Sequence, residues 1–68
     1  MEAHEVKYGV TVVIIDKEVK TPPSSIPVNT GDEITIRRLD GMYCNAINKD
    51  GERIYIAAWT KVKKLNKK

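Results

Sequence analysis

The chain has no phenylalanine, one cysteine, one histidine, one tryptophan and two leucines among its 68 residues. Each scarcity excludes something. A single cysteine, Cys44, cannot close an internal disulfide, so the domain is expected to fold without staples and to suit a reducing, cytoplasmic compartment. One histidine and one cysteine forty residues apart in sequence, His4 and Cys44, supply no zinc-ligand set, and no other metal or cofactor is implied. The longest apolar run, Val12 to Ile15, is far below the roughly 20 residues that span a bilayer, and no basic-then-apolar leader precedes it. Membrane insertion and secretion are therefore not expected.

What is present points to strands. Seven Val and eight Ile dominate the aliphatic residues, and β-branched side chains favour a pleated surface while losing rotamer freedom in helices. Hydrophobic residues make up 41% and charged residues 31%, the balance of a chain that folds rather than one that stays disordered. At this length a domain buries only about 60% of its unfolded surface. One small core is available, which excludes doubly wound nucleotide-binding sheets and barrels of alternating strands and helices. The organisation read here is a single domain over 1–68, with an ordered core of about 6–65 and a basic C-terminal tail, 61–68. His4 is expected in a disordered N-terminus.

The net charge is +3, but its distribution matters more than its sum. Residues 1–60 hold seven basic against nine acidic side chains, a net charge of −2, and the excess comes from Lys61, Lys63, Lys64, Lys67 and Lys68. The body is slightly acidic and the tail basic. A solubilising lysine cluster and an electrostatic arm for phosphates both fit that pattern.

Along the chain, Val6 to Ile15 reads as a first strand bent at Gly9, apolar on both faces near its end and so expected in a central, covered position. Asp16 to Thr30, with Pro22, Pro23 and Pro27, is a long loop of the kind that often carries function. Asp32 to Leu39 alternates cleanly, with Ile34 and Ile36 on one face. Asp40-Gly41 then suits a type I′ hairpin turn. Met42 to Asn48 follows as the third strand, placing Cys44 and Ala46 on one face and Tyr43, Asn45 and Ile47 on the other. Asn48-Lys49-Asp50-Gly51 makes a second turn, Glu52 to Ala58 a fourth strand, and Lys61 to Leu65 a short fifth with Val62 inward. The expected fold is all-β, a small, strongly bent five-stranded barrel with a long loop between strands 1 and 2.

This order of elements resembles the Src-homology 3 (SH3) type barrel. The resemblance rests on Thr30-Gly31-Asp32-Glu33-Ile34-Thr35-Ile36, similar to that family's entry into its second strand, and on Tyr55-Ile56-Ala57-Ala58-Trp59-Thr60-Lys61-Val62, similar to its last strand pair. It spans roughly Tyr8 to Leu65 and is shared in part by chromo, Tudor and transcription-elongation barrels. Members that bind proline-rich peptides use an aromatic groove. Here the first strand is Tyr8-Gly9-Val10-Thr11-Val12, the ligand-facing Trp is replaced by Tyr43 or Met42, and the groove proline by Ala57 or Ala58. The resemblance implies the SH3-like scaffold without that groove.

Catalysis needs a nucleophile beside a base, or paired carboxylates in a cleft, and no such pairing is visible in the sequence. A non-catalytic binding module is the expectation, with protein recognition as the leading reading and nucleic-acid binding as the alternative. For a protein partner the anchors are Tyr43, Tyr55 and Trp59 with Asn45 between them, because Trp, Tyr and Arg dominate binding hot spots. In that reading Asp16 and Glu18 of the long loop select the partner. For nucleic acid the carriers are Arg37, Arg38, Arg53, Lys61, Lys63, Lys64, Lys67 and Lys68, with aromatic rings stacking on bases. Strand alternation would send Arg37 and Arg38 to opposite faces. Exposed strand edges would allow self-association, so a monomer or a weak homo-oligomer is expected.

Overall fold

The structure, a computed structural model, describes residues 1–65. Its strands are β1 (Thr11–Ile14), β2 (Glu33–Asp40), β3 (Tyr43–Asn48), β4 (Arg53–Ala57) and β5 (Val62–Lys64). All neighbours pair antiparallel, in the order β4-β3-β2-β1-β5. The strands form where Ile, Val, Ala or Cys alternate with polar residues, and the alternation decides which side faces inward. Val12 lies opposite Ile34, Ile14 opposite Val62, Ile36 opposite Ala46, Ala46 opposite Ile54 and Cys44 opposite Ile56. All of these are buried. Five buried isoleucines, each stabilising by about 1.5–3 kcal/mol, supply the main apolar mass of a core that also takes in Ala3, Val6 and Val28.

No ladder joins β4 to β5, so the five strands form an open sheet rather than a closed barrel. Both outer edges are nevertheless occupied by other parts of the chain. Along β4, the Ala57 N–H donates to the Lys20 carbonyl (2.9 Å) and the Tyr55 N–H to Ser25 Oγ (3.1 Å), both in the long loop. Along β5, the Val62 N–H donates to the Met1 carbonyl (2.8 Å), and Glu2 bridges to Lys61. Free strand edges template pairing between chains. Here the backbone groups of Tyr55, Ala57 and Val62 that such pairing would use are already engaged.

Several boundaries differ from those expected. The first strand starts at Thr11, not Val6, because Gly9 takes φ +90° and turns the chain. Its N–H reaches the Ile36 carbonyl at 2.6 Å from outside the ladder. Ile15, expected to be covered, is 48% exposed. The N-terminus is not a loose tail: Ala3–Glu5 form a 3-10 turn, the Ala3 and His4 N–H groups donate to the Thr60 and Ala58 carbonyls, and Ala3 is fully buried. The β2–β3 turn is displaced by one residue. Asp40 pairs with Tyr43, leaving Gly41-Met42 as the two-residue loop. Gly41 has φ +65° and no non-glycine residue among those described has positive φ, the signs of a II′ rather than a I′ turn.

Asp16 holds the base of the long loop. Its carboxylate accepts the Lys61 N–H (3.1 Å) and the Glu18 N–H (3.4 Å), and its carbonyl accepts the Thr30 hydroxyl. No helix among the described residues is long and apolar enough to cross a membrane.

Candidate functional site

The outward face of β2, β3 and β4 carries the most unusual side-chain grouping of the molecule, and a bulge in β2 creates it. Pairing runs Ile36 to Ala46 and then Arg38 to Asn45, so Arg37 is an extra residue with no partner of its own. Such a bulge sets two residues against one and resets the alternation beyond it. Ile36 faces inward, and Arg37 and Arg38 both reach the outer face instead of dividing between the two. That corrects the expectation from simple alternation.

Cross-strand pairing assembles the rest. Asn45 sits between Arg38 and Tyr55, while Ile47 sits between Thr35 and Arg53. The result is an open concavity of about 580 Å³ lined by Arg37, Arg38, Asp40, Asn45, Ile47, Gly51, Arg53 and Tyr55. Ile47 and Asn45 belong to the central strand of the three, Arg37 and Arg38 flank them on β2, and Arg53 and Tyr55 on β4. The volume falls within the range of about 300–1,000 Å³ typical of ligand sites.

The electrostatics are one-sided. Among the described residues the one contact within 4 Å between a basic and an acidic side chain is that of the His4 ring with Glu2, so no guanidinium of the concavity has a carboxylate partner. Glu52, next to Arg53 in sequence, is turned away: it accepts a hydrogen bond from the Asn48 amide (3.0 Å), whose oxygen in turn caps the Asp50 and Glu52 N–H groups. Asp40 is the single acid of the lining. Neither its carboxylate nor the Asn45 amide bonds to another described group. Tyr55, by contrast, is fixed through its backbone, because Ser25 Oγ also donates to its carbonyl (3.4 Å).

The structure divides the expected contact residues. Tyr55 and Asn45, expected on a protein-binding face, share the concavity with Arg37, Arg38 and Arg53, expected on a nucleic-acid face. Tyr43 lies one row further along, half-buried opposite Ala57, and Trp59 is exposed in the turn after β4. Neither lines the concavity. Asp16 is engaged at the loop base, where the Lys61 and Glu18 N–H groups lower its pKa below the ordinary 3.8, and Glu18 is exposed.

Lys63 and Lys64 pair with Val13 and Val12 on β5, at the opposite end of the strand order from β4, and Lys61 bridges to Glu2. None of these lysines lines the concavity with the arginines. Lys67 and Lys68 lie outside the described residues. Asp40, Ile47 and Gly51 were not anticipated as site residues, although Ile47 shares its face with Asn45 by alternation alone.

Cys44 is buried within the core, and desolvation raises its thiol pKa. His4 bonds through its ring to Glu2 (2.8 Å) on the N-terminal turn. A second, smaller concavity is lined by Gly31, Asp32, Glu33, Asn48, Lys49 and Asp50. No group of three His, Cys, Asp or Glu able to hold a metal occurs among the described residues. Compared with known protein families, curated proteins and solved structures, the chain matches none.

Proposed function

We propose that this chain is a non-catalytic binding module with an SH3-like scaffold that takes single-stranded nucleic acid on the outer face of β2, β3 and β4. The scaffold part rests on the element order, the long first loop and the strand order with β1 between β2 and β5. The ligand part rests on one observation: three arginines without a carboxylate partner among the described residues line one concavity together with Tyr55, Ile47 and Asn45. Gathering like charges in one place opposes folding through self-repulsion, so their common position is best accounted for by an anionic ligand. Arginine forks match phosphate oxygens with two parallel hydrogen bonds. A tyrosine between them gives a base a face to stack on, as in other single-strand sites.

Affinity then comes from the arginines and retention of the base from the floor. A bare acidic protein segment would satisfy the charges but leave the Tyr55 and Asn45 floor unused. The test is fluorescence anisotropy with a dye-labelled mixed-sequence single strand against the protein and its Arg38→Ala and Arg53→Ala variants. Both substitutions lie on the exposed face and leave the core intact, so weakened binding with unchanged circular dichroism is the expected result. Wild-type affinity in both variants refutes the site.

A further inference from the structure

Resting on that reading of the site, we infer that the concavity seats a base bearing an exocyclic amino group, with Asp40 and Asn45 as the groups that select it. A site for phosphate alone needs only donors, and three guanidiniums supply them. Asp40 works against such a ligand, since its charge repels phosphate, yet it lines the same concavity.

The turn does not account for Asp40 either. Aspartates at turns ordinarily bond a nearby backbone N–H, as Asp16 does with Glu18 and Asp32 does with Asn29. Asp40 makes no such bond, and it forms no ion pair with Arg37 or Arg38 although all three line one concavity. Its acceptor oxygens are left without a partner among the described residues. The Asn45 amide, which offers both a donor and an acceptor, is open in the same way.

Placement fits a planar ring. Asp40 pairs with Tyr43, and Asn45 is two residues further along β3, making the two diagonal neighbours, about 7–8 Å apart in a paired sheet. That spacing lets two polar side chains address different atoms of one base lying over Ile47 and Tyr55. An ionised carboxylate accepts only. It accepts from the exocyclic amino group of adenine, cytosine or guanine, whereas thymine and uracil offer it one imide N–H flanked on both sides by carbonyl oxygens that repel its charge. Asn45 completes the edge by donating to a ring nitrogen or accepting a second hydrogen. The site thus discriminates against thymine and uracil at the seated position.

The experiment compares labelled single strands of adenine, cytosine and thymine, plus an adenine strand remade with unsubstituted purine, which keeps the stacking surface and removes only the amino group. The expected result is about tenfold weaker binding of the thymine and purine strands. Asp40→Asn, whose amide can donate to a carbonyl, should bring the ratios close to one while strengthening binding of the thymine strand. Arg38→Ala should weaken all four strands alike. Equal binding of all four strands in the wild-type protein, with the arginine dependence intact, overturns the selection by Asp40 and leaves the arginine site standing. If no strand binds, or none depends on Arg38 or Arg53, the site itself is wrong and the inference falls with it.

Discussion

The salt dependence of single-strand binding separates the arginine concavity from a general electrostatic surface, because the number of phosphates engaged sets the slope. For single strands the logarithm of affinity falls with the logarithm of salt by about 0.7 per neutralised phosphate. Arg37, Arg38 and Arg53 line the site, so three contacts give a slope of about −2. Raising salt from about 50 to 200 mM should then weaken binding roughly 20-fold, or about 1.7 kcal/mol. Removing one guanidinium lowers the slope to about −1.4 and the loss to roughly 7-fold.

If Lys61, Lys63, Lys64, Lys67 and Lys68 joined the arginines, eight contacts would give a slope near −6 and a loss of about 2,000-fold over the same interval. The two cases differ by two orders of magnitude, well outside the error of an anisotropy titration. Titrations of the wild-type protein, Arg53→Ala and a chain truncated after Leu65 decide between them. Truncation should leave the slope unchanged and Arg53→Ala should reduce it. A slope that falls on truncation and ignores the arginines refutes the concavity as the site.

Three further outcomes follow from the fold. Ser25→Ala removes the acceptor of the Tyr55 N–H and the donor to its carbonyl, so it should cost about 1 kcal/mol in urea unfolding; hydrogen exchange at Tyr55 should rise while that at Ile54 does not. The pKa of Asp16 is lowered in the folded state by N–H groups of Lys61 and Glu18, so the stability it contributes is complete above the unfolded value near 3.8 and is lost as pH falls through the lower folded value. The urea midpoint of the native protein relative to Asp16→Asn should accordingly shrink below about pH 4, and a pH-independent difference would count against the loop clamp. Cys44 is buried with a raised pKa, and only the thiolate reacts; labelling by a thiol reagent should follow global unfolding across a urea series, and rapid labelling of the native protein would mean the core opens locally.

The sequence made the strands legible where apolar alternation was regular. Ile34 and Ile36, Cys44 and Ala46, and Ile54 and Ile56 have the inward faces that their spacing implies, and Asn45 shares the outer face with Ile47 as expected. Features governed by distant contacts were not legible. Ala3 is buried because its N–H and the next one meet carbonyls at Thr60 and Ala58, and nothing local to residues 1–5 announces that docking.

The turn slipped because Asp-Gly suits a I′ loop by composition, while the pairing of Leu39 with Cys44 and Asp40 with Tyr43 carries β2 one residue further. The bulge was invisible for a different reason: Arg37-Arg38 contains no glycine or proline to punctuate the strand. Alternation divided the two arginines between faces, so the arginine cluster on the outer face was hidden from any reading of single residues.

That bulge also bears on how the chain tolerates changes of length. An insertion within a paired strand normally turns every later residue inside out, since the side-chain period is two. At Arg37 the ladder absorbs the additional residue, and Arg38, Leu39 and Asp40 keep defined partners across β3. Deleting Arg37 should leave a regular ladder with the same hairpin and core. The position is a point at which a single codon can be gained or lost while the architecture stays unchanged, with the number of cations on the outer face as the quantity that varies. Change there would tune the charge of the outer face independently of folding, a separation that substitutions in the alternating core cannot offer.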